Sequence, residues 1–379
     1  MLRSAIAATY IFLVANAASA QVTPATGYTP PDDTPAVRVG VTIFGNWTQQ
    51  NNPKVTDGDG NSVTKNSFDI ARSYINVTGN ISHIVAFRIT PDVSRETNTT
   101  SSLAGSLEFR IKYAYLQANL DDWMPRGSYA KFGIQQTPYI DYTESVYRYR
   151  FQGTTFTERV GYFASADSGV SFYYSLPKNY GAIHAGVFNG ENYTKAETND
   201  QKAVMIRGTV RPFATGAPVL RGLRLTGFYD SDHYNKEDER KRTIGQVTFE
   251  HNYLVAGLEA IRAKDQVTSA SPDVKSGGWA LWATPKKPMA NGSSVELLLR
   301  YDHWIPNEAD TAAPTSTATT SATLLSDQRQ NRTIAGVAYW FPHTGGPTSA
   351  ILLDYDGQKF DNISTAANRS VALHFLVNY

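Results

Sequence analysis

The chemistry that this sequence could perform is concentrated in one polar segment, residues 138–167, which is rich in guanidinium and phenol groups. Six residues of this segment form the candidate site: Tyr147, Arg148, Tyr149, Arg150, Glu158 and Arg159. A guanidinium group stays charged at neutral pH, and its planar fork matches the oxygens of a phosphate or a carboxylate. Cations clustered at a narrow, low-dielectric place concentrate anions there. We therefore expect this segment to attract anions if the fold narrows around it.

Other residue patterns that could bind a metal or catalyse a reaction are incomplete in this sequence. Asp57-Gly58-Asp59-Gly60-Asn61 begins like an EF-hand calcium loop, but Ser62 and Phe68 occupy the positions that need Gly and Glu. The seven histidines show no metal-ligand spacing, and the chain has no cysteine. No G-x-S-x-G motif occurs. Ser370 and His374 would lie about 13 Å apart on one strand, too far for a nucleophile and its base. We expect no catalytic residue, metal or cofactor.

The first twenty residues predict a signal peptide, and the charge balance of the remaining chain argues against nucleic-acid binding. Residues 1–20 read as a signal peptide, with a basic Arg3, an apolar run from Ala5 to Val14, and the cleavage pattern Ala18-Ser19-Ala20. Without Arg3 the chain holds 34 basic residues (35 − 1) and 34 acidic residues, so its net charge is zero. A nucleic-acid-binding chain should show a basic excess, and we expect no nucleic-acid partner.

The elements that must position the candidate site are strands. After residue 20 no stretch is apolar over about 18 residues, which predicts no helical membrane span. Apolar and polar residues instead alternate with period two, the pattern of strands with two unlike faces. Sixteen segments show it: 36–48, 67–78, 83–92, 107–119, 129–137, 168–176, 181–189, 201–212, 223–230, 242–250, 253–263, 277–285, 294–303, 332–341, 348–356 and 369–379.

The lengths of the connections indicate how these strands are arranged. Connections after odd strands are long and polar, for example 49–66, 138–167, 231–241 and 304–331, whereas most connections after even strands are short. Long loops at one end and short turns at the other are typical of antiparallel membrane barrels. An even strand number also places both termini at the short-turn end. The sequence predicts an all-β transmembrane barrel over 36–379, preceded by a short periplasmic tail, 21–35.

Charged residues on alternate strand positions predict a wet interior. In 107–115 one face holds Leu107, Phe109, Ile111, Tyr113 and Tyr115, and the other face is charged. Charges inside a dry sandwich core would be costly, but they suit a water-filled lumen whose outer wall meets lipid. A basic track is expected along the lumen wall: Arg72, Arg88, Arg110, Lys112, Lys131, Arg207, Arg211 and Arg300. Acids oppose it, namely Asp69, Glu108, Asp141, Glu144, Glu158, Glu259 and Asp302. The opposing charges could simply pair.

Residues 67–166 resemble the phosphate-selective porin O and P family. The resemblance rests on the run from Ser67 to Gly79, on Phe87-Arg88, on the run from Lys112 to Leu116, and on the run from Ala130 to Tyr139. It continues through these later positions: Glu144, Tyr149, Phe151 and Thr157-Glu158-Arg159. The family often has Lys where this chain has Gln136, which removes one cation where the third loop begins.

The resemblance implies a sixteen-stranded, usually trimeric barrel whose third loop, here 138–167, folds into the lumen. It implies a porin in the outer membrane of a Gram-negative bacterium, passing small anionic or neutral solutes, with outer-membrane lipid and lipopolysaccharide around it. The C-terminal aromatic Tyr379 is typical of outer-membrane proteins, where it is recognised by the barrel-assembly machinery. The resemblance also implies a mild preference for anions, phosphate among them, set by the arginines and tyrosines of the third loop. Two alternatives stay open: a barrel enzyme that hydrolyses lipid or peptide, and a structural or adhesive barrel without an open pore.

Overall fold

The computed structural model describes residues 33–96, 98–216, 218–236, 238–266, 272–309, 329–361 and 368–379. The expected signal peptide, 1–20, and all but the last three residues of the expected tail lie outside the described residues. No helix among the described residues is long and apolar enough to cross a membrane. The chain is organised instead as strands, and all sixteen expected strands are confirmed.

The strands run in chain order around the barrel. Their bounds are β1 Ala36–Thr56, β2 Ser62–Asn80, β3 Val85–Arg95, β4 Leu107–Asn119, β5 Tyr129–Gln136, β6 Ala166–Leu176, β7 Gly181–Phe188, β8 Ala203–Val210, β9 Leu223–Asn235, β10 Asp238–His251, β11 Leu254–Asp265, β12 Val274–Pro288, β13 Ser294–Ile305, β14 Gln330–Trp340, β15 Thr348–Phe360 and β16 Asn368–Asn378. Each pairs antiparallel with the next, and β16 returns to β1. In that last pair Phe44 stands opposite Leu376. Closure leaves no sheet edge with unpaired backbone groups.

Two connections are shorter than the sequence predicted. The expected loop 49–66 is a hairpin in which β1 and β2 continue past the apolar region, and the expected loop 231–241 is likewise taken up by β9 and β10. Polar cross-strand contacts extend the first hairpin: Asn66 Nδ2 donates to Gln49 Oε1 (2.7 Å) and Trp47 Nε1 donates to Asn66 Oδ1 (2.9 Å). At this hairpin the change to polar residues therefore marks where the strands leave the lipid-facing region, not where the strands end.

The alternation of faces is confirmed on most strands. On β13, Leu297 and Leu299 are 42% and 46% exposed on the outside, whereas Leu298 and Arg300 are buried toward the interior. The same pattern on β16 leaves Phe375 on the outer surface. An outer belt of exposed apolar side chains around a closed barrel is the surface that faces lipid in membrane barrels.

The expected faces of β4 are wrong after Ile111. Lys112 and Tyr113 are both buried, and from there Tyr115 is also buried while Leu116 points outward. The register explains the change, because Thr90 pairs with Tyr113 but the next residue of β3, Pro91, pairs with Ile111. Lys112 is thus the extra residue of a β-bulge, opposite a proline that cannot donate a ladder hydrogen bond. The bulge shifts the phase by one and turns two tyrosines inward.

Candidate functional site in the barrel lumen

The segment between β5 and β6 crosses the interior of the barrel, as expected for the third loop. It contains α1, Pro138–Val146, and the single turn α2, Phe156–Arg159. Pro138 suits the start of α1, where a missing N–H is no loss. Phenol groups tie this loop to strands beyond its own: Tyr139 donates to Glu259 on β11, and the Tyr142 hydroxyl lies 2.8 Å from that of Thr248 on β10.

Aromatic packing fixes the middle of the loop against the opposite wall. The rings of Tyr149 and Phe151 are stacked 5.7 Å apart, and each meets Trp340 of β14 edge to face at 5.8 Å. Phe151 also reaches Phe44 of β1, at 6.5 Å. Buried aromatic pairs add packing energy to an already apolar cluster. The loop is therefore held on both sides of the barrel and narrows its interior.

The six predicted site residues come together in the lumen, but their three guanidinium groups are paired with acids. Arg150 donates from Nε to Glu144 (2.7 Å) and from Nη2 to Glu158 (3.0 Å). Arg159 Nη1 lies 3.5 Å from Asp302 Oδ2 on β13. Between β5 and β6, residues 137–165 hold three basic and three acidic residues, so this part of the loop carries no net charge.

The remaining loop arginine is bound to the wall. Arg148 Nη1 donates to Glu296 Oε1 of β13 (3.1 Å), and its guanidinium lies 3.7 Å from the ring centroid of Trp340. Tyr149 donates to the other oxygen of the Glu296 carboxylate (2.9 Å). The side chain of Glu296 is fully buried, so this pair anchors the loop rather than presenting a free cation.

The pKa values of the loop groups follow from burial and from these neighbours. Burial and the nearby cations Arg300 and Arg332 lower the pKa of Arg159 to about 9, which leaves it charged at neutral pH. Burial opposes the charge on Arg150, but Glu158 and Glu144 raise its pKa above the usual value. Opposite charges close to a buried group favour its charged form.

A second set of cations lies on the wall beside α1. Four buried cations of the predicted track form this set, which we call the ladder: Arg88, Lys112, Lys131 and Arg207. Each has a ring centroid 4.6 to 4.9 Å from its cationic group, and the rings are Tyr113, Tyr74, Tyr115, Tyr129 and Tyr142. Tyrosine faces stabilise desolvated cations. The β4 bulge supplies Tyr113 and Tyr115, which the alternation of the sequence had placed on the outer face.

Acids of α1 face this ladder. Burial raises the pKa of Asp141, against the opposing effect of Lys131 and Arg207. Burial would also raise the pKa of Glu144, but Arg150 and Lys112 outweigh it and lower that pKa. The ladder is therefore partly balanced by the loop.

The other predicted track residues do not join the ladder. Arg72 and Arg110 share one carboxylate, that of Asp92, at 2.7 and 3.4 Å. Arg300 forms two bonds of 2.7 Å with Asp302. Arg211 lies past the end of β8, where it donates to the backbone of a neighbouring turn.

A wide cavity opens on the short-turn side of the third loop. Its volume is about 870 Å³, and six cations line it: Arg148, Arg207, Arg211, Arg221, Arg224 and Lys286. Arg221, Arg224 and Lys286 were not predicted from the sequence. Lys286 could have been found by continuing the alternation of β12, since it keeps the phase of the buried Trp282 and Thr284. We call this cavity the turn-side vestibule.

The fold is similar to that of solved outer-membrane proteins. A loop-deletion form of OmpT, an outer membrane protein of Vibrio cholerae, is 12% identical, with a TM-score of 0.58 over 92% of this chain and 100% of that one. An anion-selective porin from Comamonas acidovorans is 11% identical, with a TM-score of 0.57 over 91% and 100%. The outer membrane channel DcaP of Acinetobacter baumannii is 12% identical, with a TM-score of 0.57 over 93% and 99%. No sequence family and no curated protein matches the chain. At these identities the likeness establishes the fold.

Proposed function

We propose that this protein is a porin of the Gram-negative outer membrane that lets small hydrophilic solutes diffuse through its lumen with a mild preference for anions. The observation that carries the preference is the turn-side vestibule. A belt of apolar side chains outside and a charged interior crossed by one loop support the channel itself. A wide sixteen-stranded barrel leaves room for water, whereas an eight-stranded one fills with side chains.

The charge balance of the vestibule supports anion preference. Six cations line it, and the acids bound to them are Glu250, which pairs with Arg224, and Glu296, which pairs with Arg148. Six minus two leaves an excess of about four positive charges. Among the described residues no ion pair involves Arg207, Arg211 or Lys286. Unbalanced cations between low-dielectric walls concentrate anions.

The arginines of the third loop have a different role in this proposal. Since acids neutralise Arg148, Arg150 and Arg159, the loop sets the width of the passage, and the ladder and vestibule set its charge. The six loop residues remain the proposed constriction. An anion would move from the vestibule toward the buried cations of the ladder, beside α1.

We propose phosphate as one of the anions that pass, supported by the resemblance over residues 67–166, without selectivity for phosphate over other divalent oxyanions. Gln136 stands where the family often has Lys, and its Oε1 atom lies 3.5 Å from Lys131 Nζ. The site thus offers one cation fewer at the start of the third loop. Equal concentrations of phosphate and sulfate should therefore reduce chloride current to a similar extent. A block by phosphate alone would support dedicated phosphate selectivity.

A homotrimer and assembly through Tyr379 complete the proposal. One structural neighbour is described as a trimer form of OmpT, with a TM-score of 0.53. Light scattering on the purified protein, corrected for bound detergent, should give a mass near three chains. Deletion of Tyr379 should reduce the amount of folded protein in the outer membrane while leaving refolding in detergent intact.

Reversal potentials in planar bilayers test the channel and its preference. Pure folded protein should insert as ion-conducting units whose reversal potential in a KCl gradient has the anion-selective sign. Lys286→Met should move that potential toward zero, because it removes one unpaired vestibule cation. Lys54→Met, at an exposed position of the β1–β2 hairpin, should leave it unchanged.

Three results would contradict the proposal. Cation selectivity of the wild type would overturn the preference. Folded protein that never conducts would favour the adhesive barrel, and turnover of phospholipid or peptide without conductance would favour the enzyme.

A further inference from the structure

A second cavity lies on the long-loop side of the third loop, away from the turn-side vestibule. Its volume is about 140 Å³. Three carboxylates and one guanidinium line it: Asp167, Asp230, Asp232 and Arg240. Less polar side chains complete the wall: Tyr162, Phe163, Ala164 and Met205. We call this cavity the acidic pocket, and its charge is opposite to that of the vestibule.

Two of the three carboxylates already have partners. Asp167 accepts backbone N–H groups at both oxygens, from Ser168 (2.7 Å) and Gly190 (2.8 Å). Asp232 accepts Arg240 Nε at one oxygen (2.7 Å) and its neighbouring backbone N–H at the other (2.7 Å). Both groups are held in place and add negative charge, but neither has an oxygen without a partner.

The third carboxylate has no such partner. Asp230 is 4% exposed, and its Oδ1 atom is buried without a hydrogen bond from any described residue. Arg242 stands directly opposite it in the β9–β10 register, yet Arg242 donates to Asp265 (2.7 Å) and lies 4.5 Å from the Tyr162 ring centroid. A buried carboxylate oxygen without a donor is costly. A cationic donor entering the pocket would remove that cost.

The charge and shape of the pocket decide the class of that donor. Three lining carboxyl groups against one guanidinium favour a cationic ligand over an anionic one. Among the described residues no group of three acidic or histidine side chains is arranged to hold a metal ion. The lining rings of Tyr162 and Phe163 and the thioether of Met205 suit the carbon part of an organic cation, and aromatic rings also attract its charge.

We propose that the acidic pocket binds small primary ammonium ions. The ammonium group donates to Asp230 Oδ1, Asp167 and Asp232 contribute charge, and the short alkyl group lies against Phe163 and Met205. This site would be reached from the long-loop side before a solute meets the third loop. It does not depend on the porin proposal, because the pocket could bind its ligand in a barrel that conducts nothing.

Gly190 keeps the pocket open. Its N–H holds Asp167, and its carbonyl accepts Arg240 Nη2 (2.6 Å). Its backbone has a φ of +95°, and a Cβ there would meet the Asp232 carboxylate at 2.8 Å. Any larger residue would force that carboxylate to shift from its present position.

Calorimetric titration of the folded full chain in detergent tests the inference. The probe is n-propylammonium chloride, titrated against a reference of potassium chloride at the same ionic strength. We expect saturable binding to the wild type. Asp230→Asn should weaken that binding by about tenfold or more, since a hydrogen bond to a charged group contributes about 1.5–3 kcal/mol. Asp59→Asn, on the exposed β1–β2 turn, should bind like the wild type.

Two further measurements keep the test decisive if Asp230→Asn folds poorly. Tetrabutylammonium, which is too bulky for the pocket, should give no saturable heat with the wild type. Potassium at tenfold excess should not displace n-propylammonium. The inference is overturned if the wild type gives no saturable heat, if tetrabutylammonium binds equally well, if potassium displaces the probe, or if a folded Asp230→Asn variant binds unchanged.

Discussion

Replacing Arg150 by Met should release the third loop without unfolding the barrel. Arg150 is 7% exposed and bridges Glu144 at the end of α1 to Glu158 in α2. Methionine keeps most of the side-chain length but leaves two buried carboxylates without the guanidinium that joins them. The strands close on one another without any contribution from this loop, so the damage should stay local.

The expected size follows from the two lost bonds. Removing one partner of a buried ion pair costs about 3–5 kcal/mol, and two charge-assisted hydrogen bonds at about 1.5–3 kcal/mol each give a similar sum. A loss of about 3–5 kcal/mol raises the population of the detached loop by roughly two to three and a half powers of ten. Removing Glu144 as well, in Glu144→Gln with Arg150→Met, should recover part of that loss, since only one carboxylate then lacks its guanidinium partner.

Limited proteolysis of the refolded protein measures this population directly. Cleavage within residues 137–165, located by mass spectrometry, should be much faster in Arg150→Met than in the wild type. Single-channel recordings should show added current noise from the moving loop. Arg126→Met, at an exposed arginine of the turn between β4 and β5, is the matched control and should behave like the wild type. Equal cleavage rates and equal noise in Arg150→Met and the wild type would refute the idea that Arg150 holds the loop.

Three further predictions concern other parts of the barrel. Glu296→Gln removes a fully buried partner of an ion pair and should cost about 3–5 kcal/mol of stability. It should also make the reversal potential more anion-selective, because Arg148 loses its counter-charge, and an unchanged potential would contradict this. Hydrogen bonds from His83 to two aspartates raise the pKa of its imidazole. The stability that His83 contributes is therefore fully present at acidic pH and is lost as the pH rises through the raised pKa. An NMR titration should show the raised pKa of His83, and Asp122→Asn should lower that pKa. Gly133→Ala should destabilise β5 by about 1–3 kcal/mol in urea unfolding. The φ of Gly133 is +123°, and a Cβ there would lie 2.3 Å from a carbonyl oxygen of β4. Gly58→Ala is the control and should leave the stability unchanged, because Gly58 has open space around it.

The sequence was sufficient to predict the architecture, because the alternation of apolar and polar residues within each strand shows which side chains lie on each face. Alternation in 294–303 and 369–379 placed the right side chains outside, and every expected strand was confirmed. The loop lengths indicated which strands form hairpins, because each strand of this antiparallel arrangement pairs with its neighbours in the sequence. The resemblance over 67–166 correctly implied that the third loop enters the lumen.

Local pattern could not reveal where the phase of a strand changes. The bulge at Lys112 depends on Pro91 in the partner strand, and it reverses the faces of Tyr113 and Tyr115. A shift of one residue exchanges every following side chain between lipid and lumen. The tyrosines that cover the ladder cations could therefore not be predicted from the sequence.

Charge pairing was decided only by the tertiary structure. The sequence placed Arg148, Arg150 and Arg159 in one loop, but their acids include Glu296 and Asp302, more than 140 residues away. Coulomb energy depends on distance and local dielectric, and neither can be read from sequence spacing. For the same reason the acidic pocket, which joins the third loop to β6, β8, β9 and β10, exists only once the barrel has closed.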